Sequence, residues 1–330
     1  MGGRALAFAD PEIIKMATED FVPVSGDDWY QRRRKDAEGR FFMQIAEQGH
    51  RKGAGNDTRQ GIYVFTADGE VLWAKNTGHD AAYTKGELKR ALAQYQRLPA
   101  ARRAAGAVTV PVHGPLDPNY TRTPPTGGLI LKVNTRILDK KDGAYTKGSC
   151  DRVGGAMSAR DYLWLTKPEV QSLAPPNTEE GFTYDVPKKL ADRIARFNLV
   201  DNTRGEPLPW GQQDVRKCRM TLTAVGGNAE YIELRLDGEA VMASDADPVK
   251  AETGYDVRLL GKLRYVLAKQ TFDQFEVAAV GDHWGDGPFT KGARPGRHPL
   301  GVTFGLVTGD NPADRVPPQA ARNQNDYFGK

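Results

Sequence analysis

From Leu129 onward the chain alternates apolar and polar residues in run after run, and this period of two restricts its fold more than any other feature. In "LILKVNTRIL" Leu129, Leu131, Val133 and Thr135 share one face, with Ile130 on the other. "CRMTLTA" places Cys218, Met220, Leu222 and Ala224 together. "YIELRLDGEAVMAS" alternates around Ile232, Leu234 and Leu236, with a turn predicted at Asp237-Gly238. "YDVRLLGKLRYVLA" aligns Val257, Leu259, Leu263, Tyr265 and Leu267, and "FDQFEVAAVG" and "LGVTFGLVTG" follow. Successive strand side chains point to opposite faces, so such runs separated by turns predict a largely antiparallel sheet, either a sandwich or a strongly curved sheet. One helix interrupts them: in "VPKKLADRIARFNLV" Leu190, Ile194 and Phe197 fall on one face, with Pro187 near the start. "SARDYLWLTKPEVQSLAPP" reads as a weaker helix-turn-helix passage.

The first part of the chain mixes periods. "ADPEIIKMA" opens a helix: Asp10 caps the free N–H groups, Pro11 fits the first turn and Glu12 faces the positive end of the dipole. "DFVPVS", Asp20 to Ser25, is predicted as a short buried strand, with Pro23 arguing for an edge or an irregularity. "RRRKDAEGRFFMQIAEQG" is predicted as a helix with Gly49 as its C-cap. "GIYVFT" and "VLWAKN" form a hairpin turning at Asp68-Gly69. "TKGELKRALAQYQRL" is predicted to open on a Thr84–Glu87 capping box, with Leu88, Leu92, Tyr95 and Leu98 on one face.

Over roughly residues 4 to 98 this order resembles the thioredoxin-like superfamily, through "DPE" and "FVPV" and then the "FTADGEVL" hairpin with a packing helix after it. The resemblance implies an α/β scaffold, a dithiol at or before the helix beginning at Asp10, and a cis-proline near Gln60. No cysteine precedes Cys150, and the chain reads Arg59-Gln60-Gly61 where the proline would stand. Disulfide exchange needs sulfur, so the domain is expected to lack the usual redox chemistry. The expected fold class is α+β. A thioredoxin-like α/β domain spans 1–100, a Pro/Gly-rich linker 101–128, and a predominantly antiparallel β domain with a helical insertion 129–330.

Composition narrows function mainly by exclusion. The chain has 330 residues, 39% hydrophobic and 27% charged, which suits two globular domains. A formal charge of +4 gives no reason to expect a nucleic-acid partner. No run approaches the ~20 apolar residues of a membrane helix, so no membrane insertion is expected. "MGGRALAFADPEII" lacks the apolar run of a signal peptide. The expected location is cytoplasmic if that N-terminus is native, and exported if a signal has been removed. Cys150 and Cys218 can form neither a C-x-x-C pair nor a zinc knuckle; they are either disulfide-bonded or free buried thiols. No phosphate loop or dinucleotide fingerprint occurs, and no cofactor is expected.

Three clusters carry candidate chemistry. In "VGDHWGDGPF" a Gly-flanked loop presents Asp282 and His283, and His298 in "RPGRHPLG" could return beside them. These three would act as acid, base or metal ligands, or else His283 bonds backbone in a structural loop. No histidine pair has metal-ligand spacing, so no metal ligand is assigned. In "LVDNTRGEPLPW" Asp201, Arg204 and Glu206 form either a carboxylate pair for hydrolysis or an ion network pinning the helix to the sheet. "WYQRRRK" offers Trp29, Arg32, Arg33 and Arg34 to an anion or acidic partner, or else forms a solvated helix face bridged to Asp36 or Glu38. Gln60 and Arg204 are further candidate binding residues. The expected function is a non-redox binding or scaffolding protein for a protein or small-molecule ligand. The alternative is a hydrolytic or metal-dependent enzyme around Asp282, His283 and His298.

Overall fold

The computed structural model describes residues 7–76, 80–109, 114–148 and 158–329. Cys150, and with it the question of a Cys150–Cys218 disulfide, lies outside them, as do His79 and His113. The chain forms two compact units that part between Arg122 and Thr123.

The N-terminal unit carries helices α1 (Pro11–Glu19), α2 (Asp28–Gln31), α3 (Ala37–Ala46), α4 (Ala81–Arg97) and α5 (Ala100–Arg103), with the hairpin β1 (Ile62–Phe65) and β2 (Val71–Lys75). Asp10 caps α1 as its sequence requires, accepting from the Glu12 and Ile13 N–H groups. Ile13, Val64, Leu88 and Ala91 form a small core.

Several predictions for this unit need correction. Asp20–Ser25 is not a strand: it has no sheet partner among the described residues, and Val22 and Val24 are 90% and 81% exposed. Pro23 removes one ladder N–H, and apolar content without a neighbouring strand does not make a sheet. Helix α4 begins earlier than predicted, capped by Asp80, whose carboxylate accepts from the Tyr83 N–H at 2.9 Å; Thr84 is buried inside its first turn. Gly49 is not the cap of α3, which ends at Ala46. It permits close packing instead, since a Cβ there would lie 2.7 Å from the Tyr63 ring. The stretch assigned to a linker starts with α5, and Asp117 docks on the first unit: it accepts from the Lys35 N–H and its own N–H donates to Asp36.

The second unit is built on one large antiparallel sheet. Its strands are β3 (Leu129–Lys141), β4 (Ala144–Lys147), β5 (Ala159–Leu165), β6 (Thr183–Asp185), β7 (Val215–Gly227), β8 (Tyr231–Ala243), β9 (Gly254–Val266), β10 (Thr271–Trp284) and β11 (His298–Leu306). They lie in the order β4-β3-β11-β10-β9-β8-β7-β6, with β5 also paired to β3. With the helices this is an α+β fold. Helices α6 (Lys167–Ser172), α7 (Lys188–Asn198) and α8 (Gln324–Phe328) complete it. Leu190, Ala195 and Phe197 of α7 join Leu222, Leu234, Leu236, Leu259 and Val277 in one core. Each buried Leu, Val or Phe of this set contributes about 1.5–3 kcal/mol.

Two strand predictions change. β8 runs straight through Asp237-Gly238. Gly238 sits mid-strand, where a Cβ would come 3.0 Å from the Met220 side chain, so glycine relieves cross-strand crowding rather than making a turn. The first half of the supposed helix-turn-helix is β5. Tyr162, Leu163, Trp164 and Leu165 are all buried, so no period of two shows in the sequence. The outer edge of β5 is closed by side chains: Arg193 donates to the Trp164 carbonyl, Asn198 to the Tyr162 carbonyl, and the Trp164 N–H donates to the Tyr327 hydroxyl.

Candidate functional site

Two places in the second unit have the form of a site: a polar cavity at one end of the sheet and a trough on its outer face. The cavity brings together two groups that are far apart in sequence. His283 on β10 stands directly opposite Tyr255 on β9 and His298 on β11. With Asp201, Arg204, Arg294 and Leu300, the two histidines line a cavity of about 20 Å³, room for about one water molecule.

Asp282 does not belong to this cluster. β10 continues to Trp284, so Asp282 alternates to the other face, opposite Asp256 and Pro299, and is exposed. The predicted Gly-flanked loop is strand at these positions, and strand neighbours cannot share a face. Glu206 is also elsewhere, paired with Arg322.

Asp201 sits three residues beyond α7. One carboxylate oxygen accepts from the N–H and hydroxyl of Thr203, at 2.9 and 2.6 Å, and the other from Arg204 Nε at 2.7 Å. The rest of the Arg204 guanidinium donates to Asp286 and to the carbonyls of Gly285 and Thr290. The ion network is therefore Asp201–Arg204–Asp286, and it ties the segment after α7 to the segment after β10. Burial works to raise the Asp201 carboxyl, but the charges of His283 and Arg204 and the Thr203 and Arg204 hydrogen bonds outweigh it and hold it below the usual carboxylate range. Burial pushes the His283 imidazole down to about 4, with Arg204 acting in the same direction and Asp201 opposing. His283 is thus a neutral imidazole at neutral pH. Its ring makes no hydrogen bond among the described residues, while His298 Nε2 donates to the Pro295 carbonyl at 2.7 Å. A neutral imidazole beside a water-sized space can accept a proton from that water. Among the described residues no three His, Cys, Asp or Glu side chains cluster closely enough to hold a metal ion.

The trough lies on the opposite face of the same strands. Its volume is about 530 Å³. Leu260 and Lys262 of β9 form one wall and Lys132 and Asn134 of β3 the other, while Glu276, Ala278, Thr303 and Gly305 lie between them on β10 and β11. The walls are three strand spacings apart, about 14 Å. Small residues at Ala278 and Gly305 lower the floor; a Cβ at Gly305 would meet nothing within 4 Å. Leu260 is 59% exposed there. The trough was missed in the sequence, although Leu260 breaks the period of two by placing an apolar residue at a polar position.

Two cations of the basic cluster are ion-paired within their own unit. Arg32 pairs with Asp28, Arg34 with Asp36 and Glu38, and the Arg33 guanidinium lies 4.5 Å from the centre of the Trp29 ring. The Gln60 carbonyl lies 3.2 Å from His50 Nε2. Cys218 is half-buried, and burial pushes its thiol up to about 12. Among the described residues no helix is long and apolar enough to cross a membrane. No protein-family model, curated protein or solved structure matches this chain.

Proposed function

We propose that the chain is a binding protein whose recognition surface is the trough between β9 and β3, and that its N-terminal unit is a thioredoxin-like scaffold without dithiol chemistry. The observation that carries the first part is one of room. The trough has the volume of a ligand site, about 530 Å³, whereas the interior cavity has space for about one water. The scaffold reading is supported by the β1–β2 hairpin with α4 packed on β2. A fragment library screened by ligand-observed NMR tests the binding reading. Binders are expected on the native protein and lost on Gly305→Trp, which puts an indole into open space; binders unaffected by Gly305→Trp would refute the trough. Dithiothreitol-driven insulin reduction tests the scaffold reading, with no turnover expected above the dithiol alone.

The convergence of Asp201, Arg204, His283 and His298 favours a second reading, an acid–base site at His283 acting on water. Chromogenic ester and phosphoester substrates test it: turnover lost in His283→Gln would support it, and turnover unchanged in that variant would remove it.

A further inference from the structure

Resting on the trough as the recognition surface, the charges around it point to the chemistry of its occupant. On the outer face several charges are paired locally, Arg235 with Asp237, Arg258 with Glu239, Arg264 with Asp273, and Lys132 with Asp314, while Glu233, Asp256 and Asp282 make no ion pair among the described residues. Lys262 and Glu276 are set apart as a facing cation and anion that both stay unpaired. They are directly opposed across β9 and β10, both are exposed and both line the trough, yet neither makes an ion pair among the described residues. The one side chain bonded to Glu276 is the neutral Gln274, at 3.1 Å. Opposite charges facing each other across strands stabilise a sheet when they pair. Here the cation and the anion stay available to a third party.

Along the strands the floor runs on to a rung where the Leu138 side chain lies over Gly301. In the next outward rung after Ala278 and Thr303 stand Val280 and Gly301, which are again small or apolar. Small-ligand sites enclose most of their ligand. A trough on a sheet face covers one side of its occupant only, which suits a chain that spreads its contacts along its length. Asn134 and Thr303 add side-chain hydrogen-bonding groups beside Leu260.

We propose that the trough binds an extended peptide segment carrying an acidic side chain that reaches Lys262 and a basic side chain that reaches Glu276. The test is fluorescence anisotropy with short fluorescein-labelled peptides on an alanine–threonine background: one with Glu and Lys two positions apart, one neutral, and one with two Glu. The Glu/Lys peptide is expected to bind at least about tenfold more tightly than the other two (1.4 kcal/mol per tenfold). Lys262→Glu is expected to abolish that preference, and Lys262→Glu with Glu276→Lys to restore most of it. Both positions are exposed, so these variants keep the fold. If Gly305→Trp abolishes binding of all three peptides while charge reversal leaves their order unchanged, the trough stands and the charge-matched peptide is wrong. If Gly305→Trp binds like the native protein, the trough itself is wrong. Absence of binding by every peptide also overturns the peptide assignment, while the fragment screen still reports on the trough.

Discussion

Arg204 and Asp201 are joined at 2.7 Å in the interior of the second unit, their side chains 2% and 4% exposed. A buried pair of this kind is weak evidence of net stabilisation, yet breaking it leaves an uncompensated charge. Arg204→Met is expected to destabilise the unit by about 3–5 kcal/mol, read from urea unfolding. The double variant Arg204→Met, Asp201→Asn is expected to recover part of that loss, since it removes the stranded charge. A single variant as stable as the native protein would contradict the network.

Stability should depend on pH through the same cluster. The His283 imidazole falls from its ordinary 6.5 to about 4 in the folded state. Between those values the unfolded chain binds a proton that the folded chain refuses, so stability falls as pH drops through this window. The expected loss is on the order of 2–3 kcal/mol between pH 7 and pH 4. Asp201, held below its usual range, contributes stability that is present above pH about 4 and is lost only at lower pH. His283→Gln should flatten the upper window and, because it removes one of the charges that hold Asp201 down, also shrink the lower one. Unfolding at pH 4.5 and 7.5 for both proteins checks this.

On the outer edge of β5 one backbone N–H is met by a hydroxyl. The Trp164 N–H donates to Tyr327 at 3.2 Å, and both residues are buried. Tyr327→Phe keeps the ring and removes the acceptor, at an expected cost of about 1–3 kcal/mol. Amide exchange at Trp164 should accelerate more than exchange at Leu131 on β3. Equal effects at the two amides would mean that the hydroxyl does not close this edge.

Two glycines of the sheet, Gly281 on its inner face and Gly305 on its outer face, should behave oppositely. A Cβ at Gly281 would lie 1.9 Å from the Asp256 carbonyl oxygen, while one at Gly305 meets nothing within 4 Å. Gly281→Ala is expected to cost about 1–3 kcal/mol, and Gly305→Ala to lie within about 0.5 kcal/mol of the native protein. Thermal unfolding of the pair checks this, and a large loss at Gly305 would remove the basis for using it to fill the trough.

The sheet was legible in the sequence wherever one face is buried and the other wet, as in β8 and β9. It was illegible at β5, where both faces are covered and the period disappears. Gly238 was read as a turn because glycine marks both turns and close packing, and only the neighbour, Met220, distinguishes them. The candidate site was half legible. Asp201–Arg204 and His283–His298 stood out separately, but their meeting follows from strand register and a loop return that no local pattern encodes. The same register removed Asp282, since one more residue of strand turns a neighbour to the opposite face. Lys262 and Glu276 could not be singled out among many charged strand residues, because what distinguishes them is that a cation and an anion facing each other across β9 and β10 in the trough both stay unpaired.

The most direct measurement is a backbone amide NMR titration of the native protein with the Glu/Lys peptide. The expected result is shift changes gathered at Leu260, Lys262, Glu276, Ala278, Thr303 and Gly305, with His283 and Arg294 unmoved. Shifts centred instead on His283, Arg294 and His298 would place recognition at the interior cavity and contradict the account.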